Sequence, residues 1–376
     1  MLSDTQMSLV QQVLAHGPVS RSQLTRSLGM SPSSLTRLVK PFISEGIFLE
    51  LDEHRDGSMG RPVRPVAVNP QAAHVVGIRL TPGETHTVIT DLLASVVEDR
   101  VDRLDTRRAT TVVEHIVRLV AAAQELVGSS LAAVGVTLRG NIDNNGVVLN
   151  SDVFEWHLVP LLDLLAARLD IPVVVENDIV ALTSGEHLFG VGRGVDSFNV
   201  IAIGKEIGYG VVIDDRVVTS PDQGLGVADH ILLMADGPRC SKGHHGCAYS
   251  LLTTVALCAE YLARTDTVVD FYELLDRAAN HESVAEEMID RAGTALGILI
   301  ALATNLTYSH TVVLTGEAAG VWDLAAGKAW QSISDGRAPA ATSPQVLVGP
   351  HTADSWARGA AAAGIERFLC GLDIPG

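Results

Sequence analysis

The chain has 376 residues, 47% of them hydrophobic and 19% charged, with a formal charge of −17. That length accommodates two or three domains, the apolar content is that of a globular protein, and four cysteines do not suggest a disulfide framework. No stretch approaches the roughly 20 apolar residues of a membrane span and no signal-peptide pattern opens the chain, so the expectation is a cytoplasmic protein with no membrane partner. The acidity argues against a protein that coats nucleic acid, yet the charge is uneven. Residues 1–70 carry seven Lys and Arg against six Asp and Glu, a balance of +1 that leaves −18 on the remainder. An acidic body with a near-neutral head would confine DNA to the head.

Residues 7–14 have helical periodicity and stop at His16-Gly17-Pro18. Ser20 as N-cap and Gln23 at the capping-box position open a second helix, which closes at Leu28-Gly29. Ser31-Pro32 opens a third, serine as N-cap and proline in the first turn. Short helices joined by a glycine-containing turn predict a helix-turn-helix. On the third helix Ser33, Thr36, Arg37 and Lys40 share one face, and Leu35, Leu38, Val39 and Phe42 share the other. Small hydroxyls with Arg and Lys suit a major groove, whereas the plain alternative is a solvated helix face. Pro41 predicts either a kink or an end to the base-reading part near Val39. A strand at 46–51, a polar hairpin at 52–58 and a return through Gly60-Arg61-Pro62 to Val68 would add a wing, with Arg61 aimed at a minor groove or a phosphate. The candidate DNA contacts are therefore Ser31, Ser33, Ser34, Thr36, Arg37, Lys40 and Arg61.

The body opens with strands expected at 74–80, 84–92 and 95–101, a helix at 110–127 and a strand at 131–138. A strand at 146–150 and a helix at 159–169 lead to Val173-Val174-Val175-Glu176-Asn177-Asp178. This run reads as a buried strand feeding a helix at 179–189 that Gly190 ends. Asn177 and Asp178 thus stand where open α/β sheets place ligand groups; the modest alternative is an N-cap at Asp178, worth about 1 kcal/mol. From Phe198 the pattern restarts, with strands at 198–203, 207–213 and 215–219 and helices at 250–264, 268–280 and 283–307. A strand at 311–314, a helix from Glu317, a strand at 346–348 and a helix at 353–369 complete it. Two halves that each begin with a three-strand meander imply a duplication with a cleft between the halves.

These stretches resemble the ROK family of bacterial repressors and sugar kinases over nearly the whole chain. In the head the matching residues are His16-Gly17-Pro18-Val19-Ser20-Arg21, the run from Leu28 to Val39, and Gly60-Arg61-Pro62. In the body Gly140-Asn141-Ile142-Asp143 is similar to the family's Gly-x-Val-Asp, and Trp156 to Leu161 to its Trp-x-x-x-Pro-Leu. Glu176-Asn177-Asp178 and the glycine turn Gly190-Val191-Gly192-Arg193-Gly194 match as well. The resemblance implies an α/β protein with a winged helix-turn-helix head at 1–70. Behind it would lie a duplicated actin-like ATPase body at 73–376, its halves about 73–195 and 196–376. It further implies that Gly140, Asn177, Asp178 and His230 bind a sugar or sugar derivative, Asp178 holding the position of the kinases' general base.

Departures from the family pattern shape the functional expectation. Its first phosphate loop, Asp-x-Gly-Gly-Thr, is here Arg79-Leu80-Thr81-Pro82-Gly83, and its second, Thr-x-Gly-Thr-Gly-Ile-Gly, is Ala202-Ile203-Gly204-Lys205-Glu206-Ile207-Gly208. Proline removes a backbone donor and Glu206 sets a like charge against phosphate, so neither ATP binding nor kinase activity is expected. The family's zinc loop carries one His and three Cys. His230, Cys240 and Cys247 persist here, Lys242 replaces the middle Cys, and His244 or His245 could supply a fourth ligand. The leading expectation is a ligand-responsive regulator, a repressor of carbohydrate-related genes, acting on operator DNA as a homodimer or higher homo-oligomer. The competing readings are a sugar kinase with a fused head and a constitutive DNA binder whose body only dimerises.

Overall fold

The computed structural model describes residues 2–52, 64–349 and 354–372. The chain divides into two compact units, Met1–Gly194 with Trp356–Gly376 and Val195–Ser355.

The first unit begins with α1 (Asp4–His16), α2 (Arg21–Ser27) and α3 (Pro32–Ser44), followed by antiparallel β1 (Phe48–Glu50) and β2 (Val66–Val68). Serines explain where the helices start. Ser3 with Gln6 and Ser20 with Gln23 form capping boxes, and Ser31 caps α3 ahead of Pro32. Leu24, Leu35, Val39 and Phe42 are fully buried, and Phe42 stacks on Phe48 at 4.8 Å, locking α3 to β1. The helix does not stop at Pro41: α3 continues to Ser44. Proline sits in the last turn, where the cost is one missing donor, and the Glu45 N–H still reaches the Pro41 carbonyl. The head is a winged helix; the hairpin tip with Arg61 lies outside the described residues.

The same unit continues with β3 (His74–Thr81), β4 (Gly83–Asp91), β5 (Val96–Leu104), α4 (Ala109–Val127) and β6 (Leu131–Leu138). Short strands β7 (Asn141–Ile142), β8 (Val148–Ser151) and β9 (Trp156–Val159) form their own small sheet, and then come α5 (Leu161–Ala166), β10 (Val173–Asn177) and α6 (Asp178–Leu188). The main sheet runs β10-β6-β3-β4-β5, its meander antiparallel and β3, β6 and β10 parallel. Strand β9 is unexpected; Trp156 on it is 5% exposed and donates its indole N–H to the Arg107 carbonyl, a core residue.

The second unit holds β11 (Phe198–Ile203), β12 (Ile207–Ile213), β13 (Arg216–Val217), α7 (Ala248–Leu252), α8 (Thr254–Thr265), α9 (Phe271–Ala279), α10 (Ser283–Thr307), β14 (Thr311–Thr315), α11 (Gly320–Asp335) and β15 (Gln345–Val348). Its sheet order, β13-β12-β11-β14-β15, repeats the first unit's pattern of an antiparallel meander followed by two parallel strands on its opening strand. The helix expected at 250–264 is two, because Thr253 ends α7 and caps α8. Helix α10 is long and apolar enough to cross a membrane by composition alone, but 61% of its apolar window is buried in this unit's core.

The last helix, α12 (Asp354–Cys370), does not stay with the second half, to which its place in the chain points. It packs in the first unit, with Ala357, Ala361, Ile365 and Leu369 in one core with the head helices. Glycines make the approach possible: a Cβ on Gly77 or Gly135 would stand 2.2 Å from the Ala357 carbonyl oxygen or 1.8 Å from that of Ala360. In the second unit Gly297 plays the same part between α10 and α11, facing the Ala329 carbonyl at 2.2 Å.

Candidate functional site

The corner between β10 and α6 gathers Gly140, Asn177 and Asp178. Asn177, rather than Asp178, is the N-cap: its Oδ1 accepts from the backbone N–H of Ile179 at 3.0 Å and of Val180 at 3.2 Å. Its Nδ2 donates to the Gly140 carbonyl at 2.9 Å, tying the corner to the loop after β6. Gly140 is required by space, since a Cβ there would lie 2.6 Å from the Asn150 carbonyl oxygen. Asp178, released from capping, begins the helix with a side chain 10% exposed. Arg79 on β3 reaches it, Nη2 standing 3.4 Å from Oδ2, and the same guanidinium lies 4.2 Å over the Trp356 ring. The guanidinium therefore occupies one approach to the carboxylate. Sequence reasoning treated Arg79 only as a lost acid; the available signal was a lone cation in the apolar run of β3.

Carboxyls crowd β10 and the neighbouring helices. The Ser184 hydroxyl on α6 donates to Glu366 of α12 at 2.6 Å. Burial pushes the Glu366 carboxyl up, the negative charge of Glu176 adds to it, and the Ser184 hydrogen bond opposes it. Burial also raises Glu176 and Glu186, against single backbone donations from Asn177 and Val191 respectively. Glu176 stands in the matching Glu176-Asn177-Asp178 motif but is not among the expected ligands, and Glu186 and Glu366 are not marked by any motif.

His230 lies in the second unit, in a loop built by close backbone contacts. Gly246 has φ +57, and a Cβ there would fall 1.5 Å from the Met234 carbonyl oxygen. The bridges Arg239–His245 and Leu232–Cys247 then fold the loop so that Cys240 and Cys247 converge. The ligand atoms of His230, Cys240, His244 and Cys247 all lie within 4.8 Å of one another. The Cys240 Sγ is 3.9 Å from His230 Nδ1 and 3.7 Å from His244 Nδ1, and Cys247 Sγ is 3.7 Å from His230 Nδ1. A tetrahedral zinc with ordinary bond lengths would hold such atoms about 3.6 Å apart. The donor set could hold a metal ion, with His244 in the fourth place; His245 is outside this group, and Lys242 is exposed. Burial pushes the Cys240 thiol up, but donation from the backbone N–H groups of His244, Lys242 and Gly243 and from the Cys247 thiol brings it below its ordinary value.

On the head, Ser31, Ser33, Thr36, Arg37 and Lys40 are exposed along one side of α3 and Ser34 is half-buried. The Ser31 hydroxyl is occupied as the cap, accepting from the Ser34 N–H at 3.2 Å, and the Thr36 hydroxyl donates to the Pro32 carbonyl at 2.8 Å. That leaves Arg37 and Lys40 as the long side chains on this face.

Known proteins are similar to this chain over most of its length. The chain is 26% identical over 315 residues to the DNA-binding transcriptional repressor Mlc of Escherichia coli, covering 79% of this chain and 77% of that one. A crystal structure of a ROK family transcriptional regulator, a homologue of the same repressor, has the same fold over 97% of this chain and 96% of its own, with a TM-score of 0.80 and 22% identity. A ROK family glucokinase from Streptomyces griseus, in complex with glucose and AMPPNP, shares the body's fold over 78% of this chain and 99% of its own, with a TM-score of 0.66 and 22% identity. The ROK family model itself matches residues 75–363, and the chain belongs to the ROK family.

Proposed function

We propose that the chain is an effector-responsive DNA-binding regulator, a repressor of carbohydrate-related genes that binds operator DNA as a homodimer. The observation that carries this reading is the winged-helix head, whose α3 presents Arg37 and Lys40 while its core is continuous with that of the first unit. The effector is a sugar or sugar derivative held at Gly140, Asn177 and Asp178. Because Asn177 spends its amide oxygen on the helix cap, its share in binding is to fix the corner, and Asp178 is the group that meets a hydroxyl. The kinase alternative is disfavoured by the guanidinium of Arg79 against Asp178, by Pro82 in the first phosphate-loop position and by Glu206 in the second. Zinc bound by His230, Cys240, His244 and Cys247 would be structural, since four protein ligands leave no open position for chemistry.

The test has two arms. DNA selected from a random duplex pool by the wild-type chain should bind Arg37→Ala more weakly by about 1–3 kcal/mol, with relaxed preference at one position. Unchanged affinity and preference would remove Arg37 from base reading. A thermal-melt screen of sugars, sugar phosphates and ATP should find a sugar that stabilises wild type, by about 2.7 kcal/mol at 100 times its dissociation constant, and leaves Asp178→Ala unmoved. Stabilisation by ATP with sugar phosphorylation would instead favour the kinase.

A further inference from the structure

Helix α6 joins the candidate effector corner to the head by more than proximity. It begins at Asp178, runs about 16 Å to Leu188 and is buried on nearly every side, so it behaves as a packed rod. Beyond it the chain turns sharply. The Glu186 carboxyl accepts from the Val191 N–H at 3.1 Å, the Arg193 N–H returns to the Gly190 carbonyl at 3.2 Å, and a Cβ on Gly190 would meet Glu186 Oε2 at 2.1 Å. This turn directs Arg193 at the head. Its Nε donates to the Leu14 carbonyl at 3.2 Å and its Nη2 to the Gly17 carbonyl at 2.5 Å.

Those two carbonyls matter because of where they are. Leu14 is in the last turn of α1, among the carbonyls that have no partner within the helix, and Gly17 is its C-cap. A cation there also complements the negative end of the helix dipole. Residues Gly17 to Ser20 are the link into α2: Val19 bridges to Val66 on the wing strand, and Ser20 caps α2. One guanidinium thus grips the pivot from which α2 and α3 are hung. We propose that Arg193 is a positioning residue that transmits the state of the Asp178 corner, through α6, to the orientation of the DNA-binding head.

This rests on the reading of Asp178 as the effector site and of the head as the DNA reader, but it can be tested without either ligand. Amide hydrogen exchange is followed on the full chain as wild type, Asp178→Ala, Arg193→Ala and the double variant. With Arg193 present, Asp178→Ala should change exchange at residues 13–24 by about threefold or more relative to residues 84–104, and without Arg193 that response should vanish. An equal response with and without Arg193, or none in its presence, overturns the proposal. Should Arg193→Ala leave residues 13–24 exchanging as an unfolded chain does, the same cycle is run on Arg193→Gln, whose single amide can reach one of the two carbonyls. A reduced response there supports the proposal and a full one overturns it. Either failure leaves DNA binding itself standing, since Arg37→Ala tests that separately.

Discussion

The two units share one strand order but not one kind of dependence. The second keeps a core of its own between α7, α8, α9, α10 and α11, and the backbone bridges of its distinctive loop bring the His/Cys cluster together. The first has merged its sheet with the head and with a helix from the far end of the chain, so that Leu9, Val75 and Ala361 belong to one core. A repeated topology therefore does not fix how a perturbation spreads. Damage to the second unit should stay local, whereas damage to the first should reach the head helices.

The sharpest way to break this comparison is to spoil the glycine contact in each unit. Gly135→Val forces methyl groups into the Ala360 carbonyl and should destabilise the first unit by about 3 kcal/mol or more, weakening DNA binding with it. Gly297→Val should lower the melting temperature of the second unit comparably while leaving exchange in α1, α2 and α3 unchanged. Loss of head protection in both variants would show that the units are not separable in this way.

The proposed zinc offers a test of the second unit alone. With zinc held at 1,000 times its dissociation constant, a chelator or Cys247→Ser should cost about 4 kcal/mol, read by calorimetry beside metal analysis. Protein purified without metal and indifferent to chelation would end the zinc reading.

The smallest effect belongs to Glu366. Its folded pKa is raised above the ordinary 4.5, so the folded state holds the proton more tightly than the unfolded chain. The stabilisation is full below that ordinary value and is lost as pH rises through the raised one. Glu366→Gln should flatten this decline in the first unit, seen as melting temperature against pH, without altering the second unit's profile.

Much of this was legible in residues one after another. Serine caps with glutamine three positions on give the helix starts, and the repeated meanders give the duplicated sheets. What was not legible depended on register or on long-range contact. His244 and His245 are adjacent and chemically alike, and only the loop's folding, which turns His244 alone into the cluster, sets them apart. Arg79 and Asp178 are 99 positions apart, and nothing local to either predicts their meeting. The place of α12 is hidden for a third reason: its small residues are recognisable, but the strand glycines that receive them could accept any similarly smooth helix.

That helix also sets the order in which the protein can be made. A chain emerging from the ribosome displays α1, α2 and α3 first, yet the core against which they close includes Leu369. The head therefore gains its full packing only once residues 357–369 have been made, and a chain interrupted before them lacks those contacts.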